Sequence, residues 1–306
     1  MIVTVTLNPA IDRTVSVDRL AFEDRGYILS RAESAGGRGV NASLALHAWG
    51  APTLAIVPTG GESGQKFEQL ISGFGFPCEL VPISESIRTN FIVTDLQGLT
   101  VKMNERGPAL SDEELDRFES AVRGRLWGAS WMLLCGSLPP GVPGTFHRRL
   151  IRIAHELGVK TLLDTDGEGL QDGLLEKPAV VTPNLREASH LLNKSLITKL
   201  HLRNAAQRIL RMGAESMVLS MGSRGAIAAA GDRIAEFTPP RVDAVCAIGA
   251  GDVLNAAFTW AMTQTGDFFD AVRWGVAAGT ASARLPGLKF ASYEQTREVY
   301  ERVEVR

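Results

Sequence analysis

Gly249-Ala250-Gly251-Asp252 stands directly before VLNAAFTWAM, a stretch dense enough in apolar and small residues for a buried helix. A turn nearly bare of side chains that feeds a helix leaves backbone N–H groups unpaired, and the helix dipole adds partial positive charge there. Such a place suits an anion. Asp252 complicates that reading, because a helix-start carboxylate can itself cap the orphan amides, a role worth about 1 kcal/mol. The rest of the chain has to decide between the two.

SAGGRGVN (34–41) sets Gly36, Gly37, Arg38 and Asn41 at a second loop-to-helix junction. Glycine admits close approach of backbone to a ligand, and Arg38 and Asn41 offer donors; a plain glycine-rich turn is the competing reading. The spacing is not GxxxxGK[ST], and LNPAID follows the first apolar run where a dinucleotide site would show GxGxxG. LSMGSRGA (219–226) ends a strand in a turn that carries Ser220, Gly222, Arg224 and Gly225. A phosphate or an adenine edge can meet the backbone there, and so can an ordinary hairpin turn. In TPNLREA (182–188), Asn184 and Glu187 fall on one helix face after Pro183, as a capping box or as a relay of water and magnesium.

The elements that must position these residues follow from patterning. Short apolar runs alternate with helical ones: IVTVTL and GVNASLALHAWG, TLAIVP and GQKFEQLISGFG, WMLLCG and TFHRRLIRIAHELG, then KTLLD, AVVTPN with REASHLLNK, and SMVLSMG. Continuous apolar strands between helices predict an α/β fold with a doubly wound, mostly parallel sheet covered on both faces. Its ligands belong at the carboxyl ends of the strands, which makes Asn8, Asp12, Gly136-Ser137, Asp164, Asn184, Glu187, Ser220 and Gly222 the informative positions. Residues 13–35 and 87–105 instead show period-two runs with turns between them, and are expected to form a small β-sheet beside the main one. Placed near a ligand site, such a sheet suits a lid.

Composition excludes several classes. The 306 residues carry 32 Lys+Arg against 34 Asp+Glu, a net charge of -2, so no general attraction to nucleic acid or to an anionic membrane is expected. Five histidines show no HExxH or paired Cys/His spacing, which speaks against a transition-metal site. Cys78, Cys135 and Cys246 lie far apart in apolar runs and read as reduced core residues. With an opening, MIVTVTLNPAID, that has no basic n-region or long apolar h-region, a cytoplasmic protein is expected.

Taken together, GGRGVN, NxxE and GAGD, in this order and spacing, resemble the ribokinase-like (PfkB) family of ATP-dependent sugar kinases over essentially the whole chain. TVTLNPAID, RTNF, NERGPAL and CGSLPPGVP are similar to the branch that contains 1-phosphofructokinase and tagatose-6-phosphate kinase. The resemblance implies a core of residues 1–12, 36–86 and 105–306 with a β lid of 13–35 and 87–104. It also implies transfer of the ATP γ-phosphoryl group to a hydroxyl of a ketohexose phosphate, with Mg²⁺. By resemblance Asp252 takes the hydroxyl proton, the amides of Gly249, Ala250 and Gly251 form the anion hole, and Glu187 holds Mg²⁺ through water. Asp12, Gly36, Gly37, Asn41, Asn90 and Ser137 fall to the sugar, and Arg38, Arg88 and Lys102 to its phosphate. Asn184, Ser220, Gly222, Arg224, Gly225 and Gly251 fall to the nucleotide. Lids of this type often pair two subunits, so a homodimer is expected. Three positions depart from the branch: Arg38 and Thr182, where lysine is usual, and Ala247, where threonine is usual.

Overall fold

The structure, a computed structural model, describes residues 1–21, 23–287 and 289–306. Its main sheet has ten strands. β1 (Ile2–Val5), β4 (Thr53–Thr59), β5 (Cys78–Pro82), β8 (Trp131–Cys135), β9 (Lys160–Asp164), β10 (Val180–Val181) and β11 (Ser216–Ser220) run parallel in the order β11-β10-β9-β8-β1-β4-β5. Beyond β11, the strands β12 (Ala226–Ala230), β13 (Arg233–Thr238) and β14 (Glu304–Val305) add on antiparallel.

Helices α1 (Arg38–Ala48), α8 (Ala250–Gln264), α9 (Phe268–Ser282) and α10 (Tyr293–Tyr300) cover one face. The other is covered by α3 (Asp112–Arg125), α4 (Thr145–Glu156), α5 (Gly167–Leu174), α6 (Leu185–Leu192) and α7 (Lys199–Arg211). The pleat divides the strand residues between them. Val3, Met132, Leu134 and Met217 pack under α3–α7, while Ile2, Trp131, Leu133 and Val218 pack under α1 and α8–α10. With both faces covered, a large-to-small change in these strands costs about 2–5 kcal/mol. A third cluster around Phe67 and Ile71 of α2 (Gly61–Ser72) joins the main sheet to the root of the small one through Ile11, Ala35 and Ile87.

The small sheet consists of β2 (Ala10–Val17), β3 (Ile28–Gly36), β6 (Arg88–Asp95) and β7 (Thr100–Asn104), in the order β3-β2-β6-β7. Its two hairpins meet where β2 and β6 run parallel. Asp12 stands opposite Asn90, Ala10 opposite Arg88, and Ile92 opposite Lys102. Because side chains alternate with period two, Arg88, Asp12, Asn90 and Lys102 all share one face. Asp12 therefore sits within a strand of this sheet and not in the loop after β1, as strand-end reasoning would have it. Pro9 lacks an N–H, and the strand begins at Ala10.

The cysteine expectation needs a correction as well. All three thiols are free, but Cys78 and Cys246 are half-buried and only Cys135 is fully enclosed. Among the described residues no helix is long and apolar enough to cross a membrane.

Candidate active site

At the carboxyl ends of the parallel strands opens a cleft of about 1460 Å³, lined by Asp164, Thr182, Glu187, Ser220 and the start of α8. That start is built from Gly249, whose φ of 76° lies in the left-handed region that glycine enters without strain; no side chain caps the helix. The Ala250 N–H leans on the Ala247 carbonyl at 3.3 Å, so the turn is partly self-satisfied at that one amide. Asp252 does not fill the capping position. It is buried, and its Oδ2 accepts from Asn41 Nδ2 at 2.7 Å across two helices.

Burial raises the Asp252 carboxyl to about 7, and the negative Asp164 and Asp12 push the same way against Asn41 and Arg38. A carboxyl that titrates near neutrality gives two expected results. If Asp252 is a base, kcat/KM falls on the acid side with a limb near pH 7. For stability, the folded state keeps a proton that the unfolded chain loses from about pH 4, so this group's contribution declines between about pH 4 and pH 7 and is then flat. Melting curves of the wild type and Asp252→Asn are therefore expected to separate in favour of the variant as pH rises through that window, and parallel curves would place Asp252's titration elsewhere.

The Arg38 guanidinium is paired with carboxylates in the cleft it shares with Lys102. Its Nη1 donates to Asp164 Oδ1 at 2.9 Å and its Nη2 to Glu187 Oε1 at 3.0 Å, with Asp166 Oδ2 3.7 Å from the latter nitrogen. These carboxylates, Asp164 above all, raise the Arg38 pKa further. Of the three cations expected to converge on a phosphate, Arg38 is thus paired with carboxylates, and its charge offsets the cost of burying Asp164 and Glu187. Asp164 and Glu187 are themselves shifted upward by burial, against the pull of Arg38.

A second group of the expected site residues is organised by the small sheet. Asn90 Nδ2 donates to Asp12 Oδ1 at 2.8 Å. Asp12 is pushed up by burial and pulled down by Asn90, Arg88 and Lys102, so both cations act on it. A Cβ at Gly36 would run into the Asp12 carboxylate, which accounts for glycine there. Arg88 donates from Nη2 to the Asn8 carbonyl at 2.9 Å and from Nη1 to the Glu105 carbonyl at 3.2 Å. Its Nε, Asn90 Oδ1 and Asn8 Oδ1 are buried without a partner, unmet polar atoms of the kind a polyhydroxylated ligand satisfies. Ser137 lies beside Asn8 at 3.4 Å. Gly37 caps α1, and Lys102 reaches the main cleft.

On the opposite wall Asn184, Ser220, Gly222, Arg224, Gly225 and Gly251 all line the cleft. The Gly222–Arg224 turn joins β11 to antiparallel β12, so it is a hairpin and a cleft wall at once. Asn184 and Glu187 form a complete capping box on α6. Glu187 Oε2 accepts from the Asn184 N–H at 2.9 Å while Oε1 faces Arg38. Sequence reasoning gives no role to Asp166, which lies 3.7 Å from Arg38 Nη2, or to Asn255, which is buried and lines the cleft. The one available signal for Asn255 is its position three residues after Asp252 on α8.

Fold and site together define a phosphotransferase that acts on a hydroxyl acceptor. The pattern of the pfkB family carbohydrate kinases matches residues 5–295, and the chain belongs to that family. It is 30% identical over 302 residues to ATP-dependent 6-phosphofructokinase isozyme 2 of Escherichia coli, covering 98% of this chain and 97% of that one. Over 285 residues it is 29% identical to 1-phosphofructokinase of Borreliella burgdorferi, covering 92% of each. The crystal structure of phosphofructokinase-2 from Escherichia coli in complex with fructose-6-phosphate superposes with a TM-score of 0.90 at 30% identity, covering 98% of both chains.

Proposed function

We propose that this chain is an ATP-dependent sugar-phosphate kinase that transfers the γ-phosphoryl group to a hydroxyl of a ketohexose phosphate. The observation that carries the reading is Asp252: a buried carboxyl near neutrality, held by Asn41, at the uncapped start of α8. In this reading Asp252 takes the proton of the attacking hydroxyl, and the backbone N–H groups of Gly249, Ala250 and Gly251 meet the charge of the phosphoryl in flight. Phosphoryl transfer asks for positioning and electrostatics more than for covalent chemistry. Asp12, Asn41 and Asn90 orient the sugar, Gly36 and Gly37 let it approach, and Ser137 closes its edge. Arg88 and Lys102 take its phosphate, the set being two cations and not three because Arg38 is otherwise engaged. Asn184, Ser220, Gly222, Arg224 and Gly225 hold the nucleotide.

Magnesium fits the residues present. Both Glu187 oxygens already accept one hydrogen bond, and each keeps capacity for another. That suits a hard ion that retains its waters and rests mainly on phosphate oxygens, with Glu187 holding it through water. When bound, it would neutralise charge on the β- and γ-phosphates.

The four-stranded sheet then serves as the lid, and its outward side supports a homodimer. Val101 and Met103 share the face opposite Asp12 and Asn90, and they are exposed together with Tyr27, Ile28, Leu29 and Leu99. Apolar side chains in that number on one small sheet favour a second copy of the chain. ADP release measured over a panel of sugars and sugar phosphates tests the activity, because a kinase of free sugars or nucleosides and a non-catalytic binding protein would each give a different pattern.

A further inference from the structure

We propose that Arg38 is a positioning residue of the transfer site: its guanidinium holds Asp164 and Glu187 in one fixed arrangement at this end of the cleft. The inference rests on the activity proposed above. Arg38 opens α1, and its two partners lie 126 and 149 residues further along the chain, at the end of β9 and in the first turn of α6. Each partner takes a different Nη, so the planar fork sets the distance and angle between the two carboxylates. The Asp164 and Glu187 side chains are only 8% and 3% exposed, which leaves the guanidinium as their neutralising group. Thr182 lines the same cleft with a buried Oγ1 that has no partner.

The two carboxylates matter to the chemistry through their neighbours. Glu187 closes the capping box with Asn184 on the nucleotide wall, and Asp164 shares the cleft with Asp252, whose carboxyl its charge helps to raise. Arg38 thus ties the nucleotide wall to the end of β9 beside the proposed base. A lysine at this position keeps the charge, but its three N–H donors radiate from one nitrogen and cannot reproduce the spacing of the planar fork.

The test compares Arg38→Lys, Arg38→Met, Glu187→Gln and the Arg38→Met/Glu187→Gln pair in the full chain, with kcat, both KM values and the melting temperature measured for each. Positioning predicts that Arg38→Lys lowers kcat about tenfold while both KM values stay within about threefold. With Mg²⁺ saturating for every variant, it also predicts that Glu187→Gln adds less than about twofold to the loss in Arg38→Met, because coupled residues are not additive. Should Arg38→Met not fold, Arg38→Lys carries the comparison alone. A tenfold rise in KM for the sugar phosphate at unchanged kcat would make Arg38 a ligand of substrate. Multiplying losses would make the two residues independent of each other, and a lowered melting temperature with kcat intact would leave a purely structural ion pair. Each of these overturns the inference on an active wild type; a wild type that phosphorylates no sugar phosphate overturns the activity reading and this inference with it.

Discussion

Asp252→Asn is expected to fold, to bind ATP with a KM within about threefold of wild type, and to lose at least about a hundredfold in kcat. The amide has the shape of the carboxylate and removes only the proton acceptor. Fold is not at risk from the change, since a buried group near neutrality is relieved rather than burdened when it becomes an amide. The Asn41 contact is the one to watch, because its Nδ2 now donates to Oδ2 at 2.7 Å; the amide oxygen of the variant can accept in its place. Steady-state kinetics with ATP titrated against saturating acceptor gives both constants. Near-normal turnover would reduce the Asp252–Asn41 pair to a structural hydrogen bond.

Arg88→Ala is expected to raise KM for the phosphorylated sugar about tenfold or more and to leave KM for ATP nearly unchanged. A sugar phosphate is a dianion near neutral pH, and each charge-assisted hydrogen bond to it contributes about 1.5–3 kcal/mol, where about 1.4 kcal/mol is a factor of ten. Burial lowers the Arg88 pKa and the nearby Asp12 offsets this. Lys102 remains to hold part of the phosphate, which keeps the effect finite. Arg88 also ties Asn8 to Glu105 through their carbonyls, so free fructose is the control: its KM is expected to move little. An equal rise for fructose and for its phosphates would make Arg88 a brace of the loop instead of a phosphate ligand.

Much of this arrangement was legible in the residues themselves, because the α/β alternation is written in continuous apolar strands such as WMLLC and SMVLS. Their two-sided burial follows directly from that pattern. Glycine-bearing junctions at 36–39 and 249–251 marked the helix starts where backbone and ligand can meet. What could not be read was partnership across the chain. The Arg38 carboxylate pairs span 126 and 149 residues and arise only when β9, α1 and α6 are brought to one end of the sheet. Charge type placed Arg38 among phosphate ligands, and no local signal showed its pairing with Asp164 and Glu187. Asn184 and Glu187 showed the opposite limit: two local readings were open, and the capping box formed while Glu187 still faced the cleft.

The central claim is that a sugar's own phosphate is part of what this cleft recognises. Its most direct test is ADP release by the wild type with ATP and Mg²⁺, using fructose 1-phosphate, tagatose 6-phosphate, fructose 6-phosphate and free fructose in parallel. The account predicts turnover with at least one of the three phosphates and a kcat/KM for free fructose lower by about a hundredfold or more, as expected when two charge-assisted contacts are lost. Equal use of fructose, or release of ADP with none of the phosphates, would contradict it.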